Sequence, residues 1–188
     1  MPTTQTISAW KQKSEIDYFS LFVPLWLAFD AWCKDKYGLP QQRHCLEALK
    51  NDNLNNKTFQ RLKTLLQGSD SISETFKSYL TQLNQSLEAA PILYKGESTK
   101  YISLRNALID FNNKIYEDLF RTSGQHNKIE LTTGIFITQE IEKIYKSYIE
   151  ILYQVRCFLF HGNLSPNSDN ERIIKYLYLT LKDLMFEI

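Results

Sequence analysis

The stretch Thr138 to Phe160 most limits what this chain can fold into. Ile141, Ile144, Tyr145, Tyr148, Leu152, Val155 and Leu159 fall along one side of a 3.6-residue period, with no Gly or Pro among them. The pattern predicts a long amphipathic helix, whose apolar face other elements must cover. Gly162 and Pro166 stop it, and Ser168 with Glu171 matches a capping box. A terminal helix then carries the stripe Ile173, Ile174, Leu177, Leu181 and Leu184.

The same periodicity runs upstream. From Glu15 to Tyr37, Ile16, Phe19, Phe22, Val23, Trp26, Phe29 and Trp32 recur at helical spacing, and Gly38 and Pro40 mark the end. This segment is apolar almost all round and reads as a central core helix. Pro24 is expected to kink it or to start a second segment. Shorter helices are predicted over Gln42 to Lys50 and Lys57 to Leu66. A capping box at Ser71 and Glu74 then opens a helix with the stripe Phe76, Leu80, Leu83 and Leu87.

Pro91 to Gly96 reads as a loop. Leu104, Leu108, Phe111, Ile115 and Leu119 predict a helix from about Lys100 to Phe120. Arg121 to Gly134 is polar and turn-rich. Thr132 to Ile137 is β-prone but short, with no obvious partner. The expected architecture is all-α: one up-and-down helical bundle over residues 1–188.

Composition narrows the function. Lys plus Arg is 22 against 21 for Asp plus Glu, a net charge of +1, so a broad basic clamp on nucleic acid is excluded and any such work depends on a local site. Hydrophobic residues make up 43%, which excludes an intrinsically disordered chain. Cys33, Cys45 and Cys157 contain no CxxC pair, arguing against a disulfide framework or zinc site and suiting a reducing cytoplasm. Met1 to Ser14 lacks a signal-peptide core, and Leu21 to Trp32, which includes Asp30, is shorter than the roughly 20 residues of a membrane span. The expectation is a cytoplasmic protein with no membrane contact. No phosphate loop or dinucleotide fingerprint is present, and His44, His126 and His161 lack paired-ligand spacing, so no cofactor and no metal are predicted.

One constellation carries chemistry: Arg156-Cys157-Phe158-Leu159-Phe160-His161-Gly162, an R-x4-H at the end of the long helix. Arg121 and His126 have the same spacing, but Ser123, Gly124 and Gln125 lie between them in a run that reads as mobile. Five residues place Arg156 and His161 about 140° apart on a straight helix. Gly162, in the left-handed conformation, lets His161 fold over the last turn toward Arg156. Histidine moves protons near neutral pH, and arginine neutralises phosphate with a planar, permanently charged fork. The bland alternative is an ion-pairing Arg156 and a His161 that caps the helix.

The segment Val155 to Gly162 closely resembles the R-x4-6-H signature of HEPN-domain proteins, which many bacterial members write as Arg-Cys-Asn-Leu-Phe-His-Gly. Trp26-Leu-Ala-Phe29-Asp30-Ala-Trp32 is similar to a Trp-x-x-Phe-Asn-x-Trp pattern in the first helix of one branch. The resemblance implies a helical, usually dimeric, metal-independent ribonuclease, often a toxin or antiviral-defence effector. It makes Arg156 and His161 the catalytic pair, RNA the substrate, and an antitoxin or nucleotidyltransferase a partner. Cys157 and Phe158 replace the polar residue that members commonly carry after the arginine, and Asp30 stands where Asn is frequent.

A homodimer is expected on physical grounds as well. A helix C-terminus opposes a bound phosphate, and two copies of Arg156 at one interface reverse that opposition. Tyr145, Tyr148 and Phe160 are the expected interface aromatics. The competing reading is a non-catalytic helical module that dimerises or binds a nucleotide or a protein partner.

Overall fold

The computed structural model describes residues 16–186 and 188. The readings of Met1 to Ser14 and of a helix start at Glu15 lie outside them. Among the described residues, six helices and five short strands follow in order: α1 (Tyr18–Tyr37), α2 (Gln42–Asn51), α3 (Lys57–Gln67), α4 (Ser71–Ala89), β1 (Ala107–Asp110), β2 (Ile115–Glu117), β3 (Phe120–Arg121), β4 (Lys128–Thr132), β5 (Ile135–Thr138), α5 (Ile141–Phe160) and α6 (Ser168–Leu184). The all-α expectation is therefore wrong. The helices carry two small antiparallel sheets, one pairing β1 with β2 and one ordered β3-β5-β4.

The predicted helix from Lys100 to Phe120 is a hairpin. Asp110 Oδ1 accepts from the backbone N–H groups of Asn112 and Asn113, and Lys114 takes a positive φ of 52°. Such local side-chain bonds compete with a helix and close a turn between strands. The i+3 and i+4 spacing was coincidental: Leu104, Leu108 and Leu119 reach the core, while Phe111 and Ile115 stay exposed. The β-prone stretch becomes β5 and finds partners on both sides, Phe120–Arg121 and Lys128–Thr132. Arg121 thus stands in a strand rather than a loose loop.

The first helix is not the central one. Its buried face is Phe22, Trp26, Phe29 and Cys33, while Leu21 and Leu27 point to solvent. It runs through Pro24 as one element, because the carbonyl released by the missing N–H belongs to Ser20 on the exposed side. Gly38 ends it at φ 62°, its N–H bonded to the Lys34 carbonyl. The central helix is α5, buried on several sides from Ile141 to Val155. It packs on α2, α3 and β1, and α6 packs on α1, α3 and α4.

Both capping boxes are displaced by one residue. Asp70 caps α4, accepting from the Ile72 and Ser73 N–H groups, and Asn167 caps α6, accepting from Asn170. A carboxylate or carboxamide one position earlier takes the free amides first. Asn56, fully buried, caps α3 and joins it to α5: its Oδ1 accepts from Phe59 N–H and its Nδ2 donates to Tyr145 Oη.

Candidate functional site

The C-terminus of α5 ends in a Schellman turn. Asn163 N–H reaches the Phe158 carbonyl and Gly162 N–H reaches Leu159, with Gly162 at φ 71°. This arrangement fixes His161 as an exposed cap residue at a defined angle to the helix. Its imidazole lines a cleft of about 190 Å³ together with Lys95, Gln154, Cys157, Phe158 and Asn163. Gln154, Cys157, Phe158 and His161 occupy one face of α5, one turn after another.

Arg156 lies off that face and is not among the residues that line the cleft. Its guanidinium carbon sits 4.3 Å from the Phe160 ring centroid and 5.8 Å from that of Trp26, and the side chain is half-buried. Nε is buried without a hydrogen-bond acceptor, and among the described residues Arg156 forms no ion pair. Within one chain, therefore, the arginine packs on aromatic rings while the histidine faces the cleft. Neither residue of the comparison pair lines that cleft. Arg121 Nη1 donates to the Asp118 and Phe120 carbonyls, and His126 is exposed in the following loop.

Lys95 was missed by sequence reasoning. The Glu97 N–H bonds to the Tyr94 carbonyl, with Lys95 and Gly96 between them and Gly96 at φ 82°, which is the geometry of a type II turn. Tyr94 anchors it, buried and donating from its hydroxyl to the Asn106 carbonyl. A Lys-Gly dipeptide in a predicted loop hints at the turn, but only the tertiary fold carries it to α5.

Beneath the cleft lies a buried charge cluster. Glu150, 1% exposed, accepts from Arg43 Nη1 at 2.9 Å on both carboxylate oxygens, from Lys50 at 3.3 Å and from Gln154 at 2.9 Å. Glu47 pairs with both Arg43 and Lys50 at 2.8 Å. Two acids and two bases thus hold α2 to α5, and Gln154 carries this rigidity to the cleft wall. Tyr153, whose ring centroid lies 5.2 Å from the Arg43 guanidinium carbon, has its hydroxyl pKa raised, chiefly by burial and secondarily by the nearby Cys157.

The expected interface aromatics divide. Tyr145 and Tyr148 are fully buried, bonded to Thr58 and Thr180 respectively, so they cannot meet a second chain. Phe160 is 41% exposed. Among the described residues no helix is long and apolar enough to cross a membrane. Compared with known protein families, curated proteins and solved structures, the chain has no significant match to any of them.

Proposed function

We propose that this chain is a metal-independent endoribonuclease of the HEPN type. In this reading the RNA 2′-hydroxyl attacks the adjacent phosphorus, His161 takes or gives the proton, and Arg156 neutralises charge on the phosphate. The observation that carries it is His161 itself: exposed on a helix cap, at the wall of a cleft that also holds Lys95. Arg156 supports it by lacking an acidic partner among the described residues, which leaves its charge available.

The separation of the two side chains favours a site shared between two copies. In this reading, a two-fold axis near the end of α5 would bring one protomer's Arg156 beside the other's His161. An uncharged arc of Leu21, Pro24, Leu27, Ala28 and Ala31 runs exposed along α1 and provides surface for that pairing. The resemblance extends the reading to a toxin or phage-defence effector restrained by an antitoxin or nucleotidyltransferase partner. Purified protein incubated with RNA in EDTA tests the chemistry. Cleavage leaving cyclic-phosphate ends and sparing DNA is the expected result, because DNA lacks the nucleophile. Strict dependence on Mg²⁺, or intact RNA, overturns it.

A further inference from the structure

A second feature lies on the β1–β2 hairpin, which packs against α5. Phe111, at the tip of the β1–β2 hairpin, is 40% exposed, and one face of its ring lies 3.5 Å from the Arg43 guanidinium carbon. Arg43 is not a loose partner. Glu150 holds it with two 2.9 Å contacts and Glu47 with another at 2.8 Å. The covered face of Phe111 therefore rests on a fixed cation, and the exposed remainder of the ring is a rigid aromatic surface at the end of a turn, where an apolar side chain gains nothing from the core.

The surface connects to the cleft. Arg43 is 5.2 Å from the Tyr153 ring centroid, Arg43 Nη1 and Gln154 Nε2 both donate to Glu150 Oε1, and Gln154 lines the cleft with Cys157 and His161. At about 1.5 Å of rise per residue, Tyr153 and His161 are separated by about 12 Å along α5. At the far end Lys95, exposed and without an acidic partner among the described residues, projects from its type II turn.

We infer that this face of α5 is a track for single-stranded RNA, with Lys95 on a backbone phosphate near His161 and Phe111 stacked under a base a few nucleotides away. A near-neutral chain cannot hold RNA by a wide basic field, so binding falls to a few placed contacts of these two kinds. Phe111 stacks without reading a base edge, so the track is selective for an unpaired strand rather than for a sequence. The inference rests on the ribonuclease reading.

The test uses the full chain and a fluorescein-labelled 2′-O-methyl hexanucleotide, which cannot supply the attacking hydroxyl and stays intact. Fluorescence anisotropy should show Phe111→Ala weakening binding about tenfold with the salt dependence unchanged, and Phe111→Trp restoring it. Lys95→Gln should lower the log–log salt slope by about 0.7, the value for one single-strand phosphate contact, and Lys95→Arg should keep it. Lys95 is exposed and Phe111→Trp keeps an aromatic ring on Arg43, so thermal melting of these variants should match the unaltered protein. Phe111→Ala loses the Arg43 contact and should melt slightly lower yet stay folded at the assay temperature. If that protein cleaves RNA and binds the probe while Phe111→Ala and Lys95→Gln bind equally well, the track is wrong and the ribonuclease reading stands. If it neither binds the probe nor cleaves RNA, both fall.

Discussion

Arg156 carries its guanidinium carbon 4.3 Å from the centroid of the Phe160 ring, one turn further along α5. The ring supports the cation from one side without neutralising it, a cation–π arrangement that leaves the donors free for an anion. Arg156→Ala is expected to lower kcat/KM for RNA by about a hundredfold or more, the scale for removing one placed charge from a developing oxyanion. His161→Ala should cost about 10²- to 10⁴-fold. Arg121→Ala and His126→Ala should leave the rate unchanged. Cleavage of a fluorogenic RNA gives the rates, and circular dichroism should show the same helical content in every variant.

Glu150 accepts from Arg43, Lys50 and Gln154 at once. Replacing it with Ala leaves Arg43 and Lys50 facing each other in a buried site with only Glu47 between them. A loss of about 3–5 kcal/mol is expected, the cost of breaking a buried pair from one side. Urea unfolding measures it as a lower midpoint with an unchanged slope.

Gly162→Ala isolates the turn that places His161. Nothing lies within 4 Å of the added methyl group, so the effect comes from the left-handed backbone at φ 71°. A stability loss of about 1–2 kcal/mol is expected. The rate should fall through kcat more than through KM, because the histidine is misplaced while the substrate contacts remain. Thermal melting and steady-state kinetics on one preparation report both effects.

The three cysteines should differ in reactivity and in what they contribute to stability. Burial pushes the Cys33 thiol up to about 12 from an ordinary 9.0, with Cys45 beside it adding to the rise. At pH 8 Cys33 stays protonated and covered, and Cys45 is fully buried, so iodoacetamide should reach the half-buried Cys157 first. Peptide mass mapping over time reads the order. Because the folded value lies above the unfolded one, the stability Cys33 contributes is fully present below about pH 9 and is lost as pH rises toward 12. Stability of a Cys33→Ser variant should accordingly fall less steeply over that interval.

The helices could be read from the chain because their apolar residues obey one period and their ends carry amides or carboxylates. Phe76, Leu80, Leu83 and Leu87 all reach the core, and Gly162 takes the left-handed cap its position implies. The hairpin at Asp110 could not be separated from a helix by spacing, since Leu104, Leu108, Phe111, Ile115 and Leu119 satisfy both until the Asp-x-Asn-Asn turn bonds are weighed. Of the cleft, His161 could be picked out by its spacing from Arg156, whereas Arg156 itself packs on Trp26 and Phe160 and does not line it. Lys95 and Arg43 could not, because each joins α5 from a distant segment through tertiary packing alone.

Mixing two impaired variants tests most directly whether two chains share one site. Arg156→Ala and His161→Ala are each expected to cleave fluorescent RNA in EDTA at about a hundredth of the normal rate or less. Mixed in equal amounts and allowed to exchange subunits, they form heterodimers in half of the population, each with one cleft that keeps an intact arginine and an intact histidine. Activity should return to about a quarter of that of the unaltered protein. A mixture that stays at that low rate while the unaltered protein cleaves at full rate contradicts the shared site.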